Sequence, residues 1–450
     1  MNIELDLKKK IDNIIINLDG INKIKKSNLN FIFDEIKKSN NVEELFFNIK
    51  KCNYKIDNLN IFDGDPIVKL SSSNKNVIID YKLKERKNNY MIGTNVNNRG
   101  EVTADFEINM PYIFKTINSA ELKANICSLS TNNFSFRLLI PHLKYLANYR
   151  LILESNISSI NNIKCSSYIT KMNSIKTYLL KNNHSLIWEV NYNKILHNIN
   201  KNFIPSEKIL KLCDQYIKNT IKYNYKKDKL NYSLSSEKNE EVIYSHYPTS
   251  GYYYEIENEV SLPFCEAKFF KNHINFLYIK KLIENLYAYF NISNGIKYDY
   301  GKKNISYLNN FNFTGSIGSS LILRGFEYNS VGSTEECFKF DKKEKNYKIN
   351  YNYLGANFFS NIQFIFKYIL NFNNINPILF FYLQLGRLSN NLFPSFKQLI
   401  NDTRISTGIG IMSYIQKNIS LELFFCFPLW YQLTDKIKFF QVGLNFKGIL

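Results

Sequence analysis

Long apolar runs are absent from this chain of 450 residues, and their absence sets the first limit on the fold. A helix that crosses a bilayer needs about 20 mostly apolar residues, and no window of the sequence approaches that length. Met1 to Lys10 also lack the apolar stretch of a secretory signal, so no such signal is expected. If the chain crosses a membrane, it must do so as a closed β-barrel, because lipid offers no partners for unpaired backbone groups.

Closely spaced cysteines and catalytic histidine patterns are missing as well. The seven cysteines include no Cys-x-x-Cys pair and their number is odd, which argues against a metal site or a disulfide framework. The five histidines show no ligand or triad spacing, and Gly408 and Gly410 lack the third glycine of a dinucleotide-binding loop. We therefore expect no enzymatic activity, no metal and no cofactor.

Nucleic-acid-binding motifs are a third absence, although the chain is strongly basic. The formal net charge is +19, from 58 Lys and Arg against 39 Asp and Glu. Such a balance often indicates a nucleic-acid partner, but here the lysines are spread over the whole chain rather than clustered. A solvated lysine background is favoured, and no nucleic-acid partner is expected.

Residues 1–87 predict a small mixed α/β domain in the order β-α-α-β-β. Apolar residues recur at helical spacing at Val42, Leu45, Phe46 and Ile49. Asn41 precedes this run and Glu44 follows three residues later, as in a helix-capping box. A shorter helix is expected at Phe31 to Lys38, with two strands after the long helix.

The hydrophobic period changes from 3.6 to 2 after about Asn88. Near the end of the chain, for example, Ile409 and Ile411 alternate with Gly410 and Met412. Segments of about 10 residues with one apolar and one polar face are typical of transmembrane barrel strands, but a soluble antiparallel sandwich alternates in the same way. Aromatic clusters near strand ends, such as Tyr252 to Tyr254, favour the barrel because such residues suit the membrane interface. Pro205 to Thr220 interrupts the alternation and predicts a short amphipathic helix.

Four segments carry a resemblance to a known family. They are Gly318 to Phe326, Tyr353 to Tyr368, Leu421 to Pro428 and Phe440 to Phe446. With them the chain resembles the outer-membrane-protein-85 superfamily, also called the bacterial surface antigen family, and most of all its mitochondrial sorting-and-assembly-machinery barrel subunits. The resemblance implies an all-β transmembrane antiparallel barrel of sixteen strands over residues 88–450. It also implies that residues 1–87 are one polypeptide-transport-associated domain.

In this family a loop with an Arg-Gly-Phe motif folds into the barrel lumen. The resemblance places the loop around residues 316–346. The motif residues are Arg324, Gly325 and Phe326. The family's arginine meets acidic residues on later strands, whereas the matching positions here are Gln363 and Gln384, which can form hydrogen bonds but carry no charge. The alternative is an ordinary hairpin turn with a solvent-facing arginine.

The resemblance also implies a lateral gate between the first and last barrel strands, Tyr90 to Val96 against Lys438 to Phe446. The gate residues are Tyr90, Ile92, Gly93, Thr94 and Val96 on the first strand, and Gln441, Gly443, Leu444 and Phe446 on the last. Gln441, Gly443 and Phe446 fit the terminal signal that outer-membrane barrels usually carry, and Lys447 to Leu450 run past this signal. An incoming strand would add to the exposed edge by β-augmentation.

The function implied is insertion and assembly of β-barrel proteins into the mitochondrial outer membrane by strand templating at this gate. The implied partners are unfolded β-barrel precursors, accessory subunits of the sorting and assembly complex, and the lipid bilayer. One alternative keeps the fold but makes the chain a preprotein translocation channel of the plastid outer envelope. The other is a soluble β-rich binding protein.

Overall fold

The first elements of the chain form a three-stranded sheet with two helices. The computed structural model describes residues 10–11, 13–73, 76–96, 101–128, 131–143, 149–197, 203–212, 214–234, 243–244, 248–301, 306–313, 321–341, 346–370, 377–391, 393–416 and 419–449. The elements are β1 (Asn13–Asp19), α1 (Asn30–Lys37), α2 (Val42–Leu59), β2 (Ile67–Ser73) and β3 (Asn76–Lys82), with a 3₁₀ turn at Lys26–Leu29. β3 lies in the middle, parallel to β1 and antiparallel to β2.

The helix predicted after Asn41 is confirmed. The Asn41 side chain accepts a hydrogen bond from the backbone N–H of Glu44 at 2.8 Å, which satisfies one unpaired donor at the helix start. Leu45 and Ile49 are buried, as the spacing predicts, but Phe46 is 42% exposed. The buried face continues instead through Cys52 and Ile56. Assignment of this region to a polypeptide-transport-associated domain stays a prediction, as does a domain boundary at residue 87.

The rest of the described chain is almost entirely strand. The strands are β4 (Asn89–Val96), β5 (Val102–Met110), β6 (Ser119–Cys127), β7 (Asn133–Ile140), β8 (Arg150–Asn161), β9 (Tyr168–Lys181), β10 (His184–His197), β11 (Phe203–Ile204), β12 (Gln215–Asn231), β13 (Ser233–Leu234), β14 (Ile243–Tyr244), β15 (Ser250–Ser261), β16 (Phe269–Ile283), β17 (Leu286–Asp299), β18 (Ser333–Asp341), β19 (Asn346–Gly355), β20 (Phe358–Ile369), β21 (Ile378–Ser389), β22 (Thr403–Gln416), β23 (Ile419–Trp430) and β24 (Phe440–Ile449). The helices are α3 (Ile163–Ser166), α4 (Glu207–Leu210) and α5 (Phe396–Asp402), with a 3₁₀ turn at Ser306–Asn309. Among the described residues, no helix combines the length and the apolar character needed to cross a membrane.

Sixteen of these strands close into one antiparallel barrel, which confirms the predicted fold class. Its order follows the chain from β4 to β10, then β12, β15, β16, β17 and β20 to β24, and β24 returns to β4. β18 and β19 form a hairpin outside the barrel wall, extended at one edge by β11. Backbone contacts divide the chain into two compact units, Met1–Tyr90 with Glu107–Leu122 and Phe136–Leu153, and the remainder.

Large apolar side chains cover the outside of the barrel, whereas its inside holds many polar and charged side chains beside an apolar cluster that includes Phe380 and Phe424. On β20, Asn361 and Gln363 are buried while Phe364 and Phe366 are 40% and 42% exposed. Buried ion pairs also line the lumen, where Lys222 Nζ lies 2.7 Å from a carboxylate oxygen of Glu189. An apolar outer surface with a polar lumen is the pattern of a transmembrane barrel.

The amphipathic helix predicted over Pro205 to Thr220 is wrong beyond a single turn. Only α4 is helical, and β12 begins at Gln215. Ile209, Leu212 and Tyr216 are nevertheless all buried, in one cluster with Phe269. The apolar residues at helical spacing therefore belong to α4 and to the start of β12, which both pack in the cluster around Phe269.

Candidate functional site

The connection between β17 and β20 sends the Arg-Gly-Phe motif into the barrel. Residues 316–320 and 342–345 of the predicted loop lie outside the described residues, but Leu321 to Asp341 are described. Leu323, Arg324 and Phe326 are between 3% and 6% exposed, so the motif is buried rather than solvent-facing. The alternative of an ordinary surface hairpin turn is therefore wrong.

The two predicted glutamines do contact the loop, but through its backbone. The carbonyl oxygen of Ile322 accepts hydrogen bonds from the side-chain amides of Gln363, at 3.4 Å, and Gln384. Asn361 Nδ2 donates to the same oxygen at 3.1 Å, and the backbone N–H of Arg324 donates to Gln384 Oε1 at 3.1 Å. Neither glutamine binds the guanidinium, so the amides fix the path of the loop rather than the arginine head.

The Arg324 guanidinium lies between two aromatic rings. Its central carbon is 5.3 Å from the Tyr382 ring centroid and 5.2 Å from that of Phe424, which is cation–π geometry. Its Nε and Nη1 donate no hydrogen bond to any described residue. Arg324 borders a cavity of about 230 Å³ that Lys367 and Glu422 also line.

Glu422 is the acidic group that the sequence-based prediction missed. It lies on β23, one strand before the closing strand, and lines the same cavity as Arg324. The sequence contains a signal for it, because Glu422 is the charged residue on the polar face of an otherwise apolar alternating strand. The described residues bring no three His, Cys, Asp or Glu side chains together in a way that could hold a metal ion.

Gly325 and Phe326 bring the loop against the last strands of the barrel. Gly325 has φ +87°, and a Cβ built on it would lie 2.7 Å from Ser406 Oγ and 3.1 Å from Pro428 Cγ. The Phe326 side chain packs in an apolar cluster with Phe359 and neighbouring residues. Glycine is therefore needed here both for its backbone conformation and for the close approach to β22 and β23.

The connection between β23 and β24 pairs with the motif like a short strand. Lys438 N donates to the carbonyl of Gly325 at 2.9 Å, and Glu327 N donates to the carbonyl of Lys436 at 2.9 Å. Ser330 Oγ donates to the same Lys436 carbonyl at 3.2 Å. The lumen loop is thus hydrogen-bonded to the segment that leads directly into the closing strand.

Gln441, predicted as a gate residue, lies inside the barrel on the closing strand. It is 1% exposed, and its Nε2 donates to the carbonyl oxygen of Phe326 at 3.0 Å. Its Oε1 accepts a weak hydrogen bond from Cys426 Sγ at 3.7 Å. Gln441 therefore joins the loop motif to the closing strand, instead of belonging to the seam between the first and last strands.

The first and last strands are neighbours, as predicted, but their pairing covers a different part of the closing strand. The pairing begins with Leu444 opposite Val96 and ends with Ile449 opposite Met91. Lys447 and Gly448 therefore pair with β4, so the paired part of the closing strand extends beyond the predicted end of the gate at Phe446. The prediction ended the strand at the apolar positions of a terminal signal, whereas backbone pairing carries β24 farther.

Most of the other predicted gate residues lie within this paired stretch, and two precede it. Phe446 lies opposite Thr94, and Gly93 and Ile92 lie opposite Lys447 and Gly448. Tyr90 precedes the paired stretch of β4, and Gly443 precedes that of β24.

Gly325→Ala is expected to displace the Arg-Gly-Phe motif from its position against β22 and β23. A left-handed backbone with a side chain costs on the order of 1–3 kcal/mol, and the contacts with Ser406 and Pro428 add to that cost. The buried thiol of Cys426 lies directly beneath the motif, so its labelling by a maleimide should rise, as measured by peptide mass spectrometry.

Gly64→Ala is the matched control for that experiment. Gly64 has φ +75°, but no atom lies within 4 Å of the place that a Cβ would take, so only backbone strain is added. Labelling of Cys426 should stay at the level of the unchanged protein. Equal labelling in both variants would mean that the motif does not need the close approach at Gly325.

Comparison with known proteins adds a family and a fold. A family model described as the Omp85 superfamily domain matches residues 84–447. The structure of BamA from Haemophilus ducreyi lacking POTRA domains 1–3 is similar at 15% identity, with a TM-score of 0.73 over 97% of this chain and 84% of that one. CdiB from Acinetobacter baumannii is similar at 12% identity, with a TM-score of 0.57 over 99% and 74% of the two chains. No curated protein matches the sequence.

Proposed function

The chain belongs to the Omp85 superfamily, and from that premise we propose that it inserts and assembles β-barrel proteins in the mitochondrial outer membrane. Its clients would be unfolded β-barrel precursors that reach the seam between β4 and β24. The reaction makes and breaks only hydrogen bonds, so no catalytic group is required. Accessory subunits of a sorting and assembly complex would bring clients to the barrel.

The observation that carries the proposal is the pairing of β24 with β4. Backbone pairing joins the two strands there, from Leu444 opposite Val96 to Ile449 opposite Met91. If the seam opens, it exposes a row of backbone donors and acceptors at the edge of each strand. An unpaired backbone group in lipid costs several kcal/mol, so a client strand that pairs with this edge is strongly favoured.

The lumen loop gives the closing strand a second attachment. Gln441 binds the carbonyl of Phe326, and the segment before β24 is hydrogen-bonded to Gly325 and Glu327. When the seam opens, these bonds and the pairing with β23 hold β24 in place. The barrel can then offer a strand edge of fixed register to a client without coming apart.

A folding assay in vesicles tests the proposal. The purified chain is reconstituted, a urea-denatured β-barrel precursor is diluted onto the vesicles, and folded barrel is scored by its mobility before heating in gel electrophoresis. Precursor should fold faster on these vesicles than on protein-free ones. Equal rates on both would contradict an insertase.

Localisation tests the mitochondrial part of the proposal separately. A tagged copy should stay in the membrane pellet after carbonate extraction and coincide with a mitochondrial marker. Subunits of the sorting and assembly complex should copurify after mild detergent extraction. A plastid location would instead support a preprotein translocation channel of the outer envelope.

A further inference from the structure

The connection between β21 and β22 carries a short helix whose apolar side chains are all exposed. Within α5, Phe396, Leu399 and Ile400 follow the i, i+3, i+4 spacing of one helix face. They are 79%, 41% and 37% exposed, and no residue of α5 is buried. Phe393, just before the helix, is 96% exposed. An amphipathic helix that buries none of its apolar face needs a further surface to cover it.

Both ends of α5 are firmly held, so this exposure is a feature of an ordered helix. Ser395 caps the start, where its hydroxyl accepts from Gln398 N and Gln398 Oε1 accepts from Ser395 N. At the other end, Thr403 Oγ1 donates to the carbonyl of Leu399 at 2.7 Å, and Arg404 Nη1 donates to that of Asn401 at 2.7 Å. The carbonyls that a helix end leaves unpaired are therefore satisfied.

A hydrogen bond from Trp430 attaches α5 to the outer wall of the barrel. Trp430 Nε1 donates to the carbonyl of Ile400 at 3.2 Å. A register shift between Ile405 and Ser406 places Trp430 opposite Ile405 of β22. Farther along the two strands, the same face carries the exposed Ile409 and Phe427. That face is the apolar outer surface of the barrel, and the hydrogen bond from Trp430 attaches α5 to it.

We propose that α5, together with Phe393 and Trp430, is a lipid anchor that lies in the headgroup–acyl boundary of the bilayer. Three observations choose lipid over a protein partner. The helix is hydrogen-bonded to Trp430 on the apolar outer wall, Trp430 and Tyr431 are the residue types that favour the membrane interface, and the exposed Lys397 on α5 can reach headgroup phosphates. The anchor holds β22 and β23, the two strands before the closing strand, at a fixed depth.

The two native tryptophans make the proposal directly testable, because both can be replaced. The reporter variant is Trp188→Phe, Trp430→Phe, Phe396→Trp, reconstituted in phosphatidylcholine vesicles with and without lipid brominated near the headgroup. Its fluorescence should be blue-shifted and quenched about twofold or more by the brominated lipid, as for an interfacial helix. Folding of each variant is confirmed first by gel mobility before heating.

The matched control moves the same reporter to an exposed aromatic residue of α2. Phe47 on α2 is 67% exposed, so Trp188→Phe, Trp430→Phe, Phe47→Trp should emit as a water-exposed indole and resist quenching. Water-like, unquenched emission from position 396 would overturn the anchor. A photo-crosslinker at position 396 that joins a protein rather than lipid in native membranes would also overturn it, in favour of a partner subunit.

Discussion

A disulfide across the seam should reduce client folding to the rate on protein-free vesicles, and reducing it should restore the acceleration. Asn95 of β4 and Asn445 of β24 lie directly opposite each other, so Asn95→Cys with Asn445→Cys can close a bond between the strands. With the strands joined covalently, no backbone edge becomes available to a client. The measurement is the vesicle folding assay, with and without reductant.

The control is an equivalent bond elsewhere in the same barrel. Asn258 on β15 and Asn272 on β16 are also directly opposite, and Asn272 Nδ2 donates to Asn258 Oδ1 at 2.7 Å. A disulfide at Asn258→Cys and Asn272→Cys should leave client folding unchanged. The six cysteines that the structure describes are all buried, so they should not compete under mild oxidation. Unimpaired folding with the seam bond fully formed would mean that clients do not enter between β4 and β24.

Strand alternation and family resemblance were enough to predict which residues point into the lumen near the loop. Gln363 and Gln384 sit on the polar faces of β20 and β21, and both do reach the loop. Which atoms of the loop the two glutamines bind depends on the backbone path of Ile322 and Arg324, and no local sequence pattern encodes that path. The sequence therefore predicted that they meet the loop, but not that they bind its backbone instead of its guanidinium.

The closing strand shows the same limit for register. Alternation places Gln441 and Asn445 on one face of β24, but the partner of Gln441 is Phe326, which is 115 residues away in the chain. The pairing of β24 with β4 is likewise a long-range choice, and a strand can slide by two residues without changing which face is apolar. The apolar pattern alone thus left the end of the gate several residues short.

One buried ion pair escaped the sequence-based prediction altogether, and its loss should be among the most destabilising single changes in the barrel. Arg404 Nε donates to Asp435 Oδ2 at 2.7 Å and Nη2 donates to Oδ1 at 3.2 Å, with side chains 2% and 0% exposed. Arg404→Met leaves the Asp435 carboxylate buried without its partner. A loss of about 3–5 kcal/mol is expected, seen as a lower temperature for the heat-induced shift in gel mobility.

The pair also ties several parts of the proposed machinery together, so its loss should be felt beyond stability. Arg404 holds the end of α5, and Asp435 lies in the connection whose next residue, Lys436, binds the motif loop. Labelling of Cys426 should therefore rise in Arg404→Met, as it should in Gly325→Ala. Such a result would mean that the position of the lumen loop depends on the ion pair between Arg404 and Asp435.

Two further variants separate the buried charge from the simple loss of an arginine. Arg404→Met with Asp435→Leu removes both charges and should recover much of the lost stability, because no uncompensated charge remains. Lys226→Met breaks an ion pair with Glu255 in which the lysine side chain is 54% exposed, so it should cost no more than about 1 kcal/mol. If Arg404→Met were as mild as Lys226→Met, the ion pair would not be what joins α5 and β22 to the connection before the closing strand. The lumen loop would then be held by its backbone hydrogen bonds, by Gln441 and by the amides that bind Ile322.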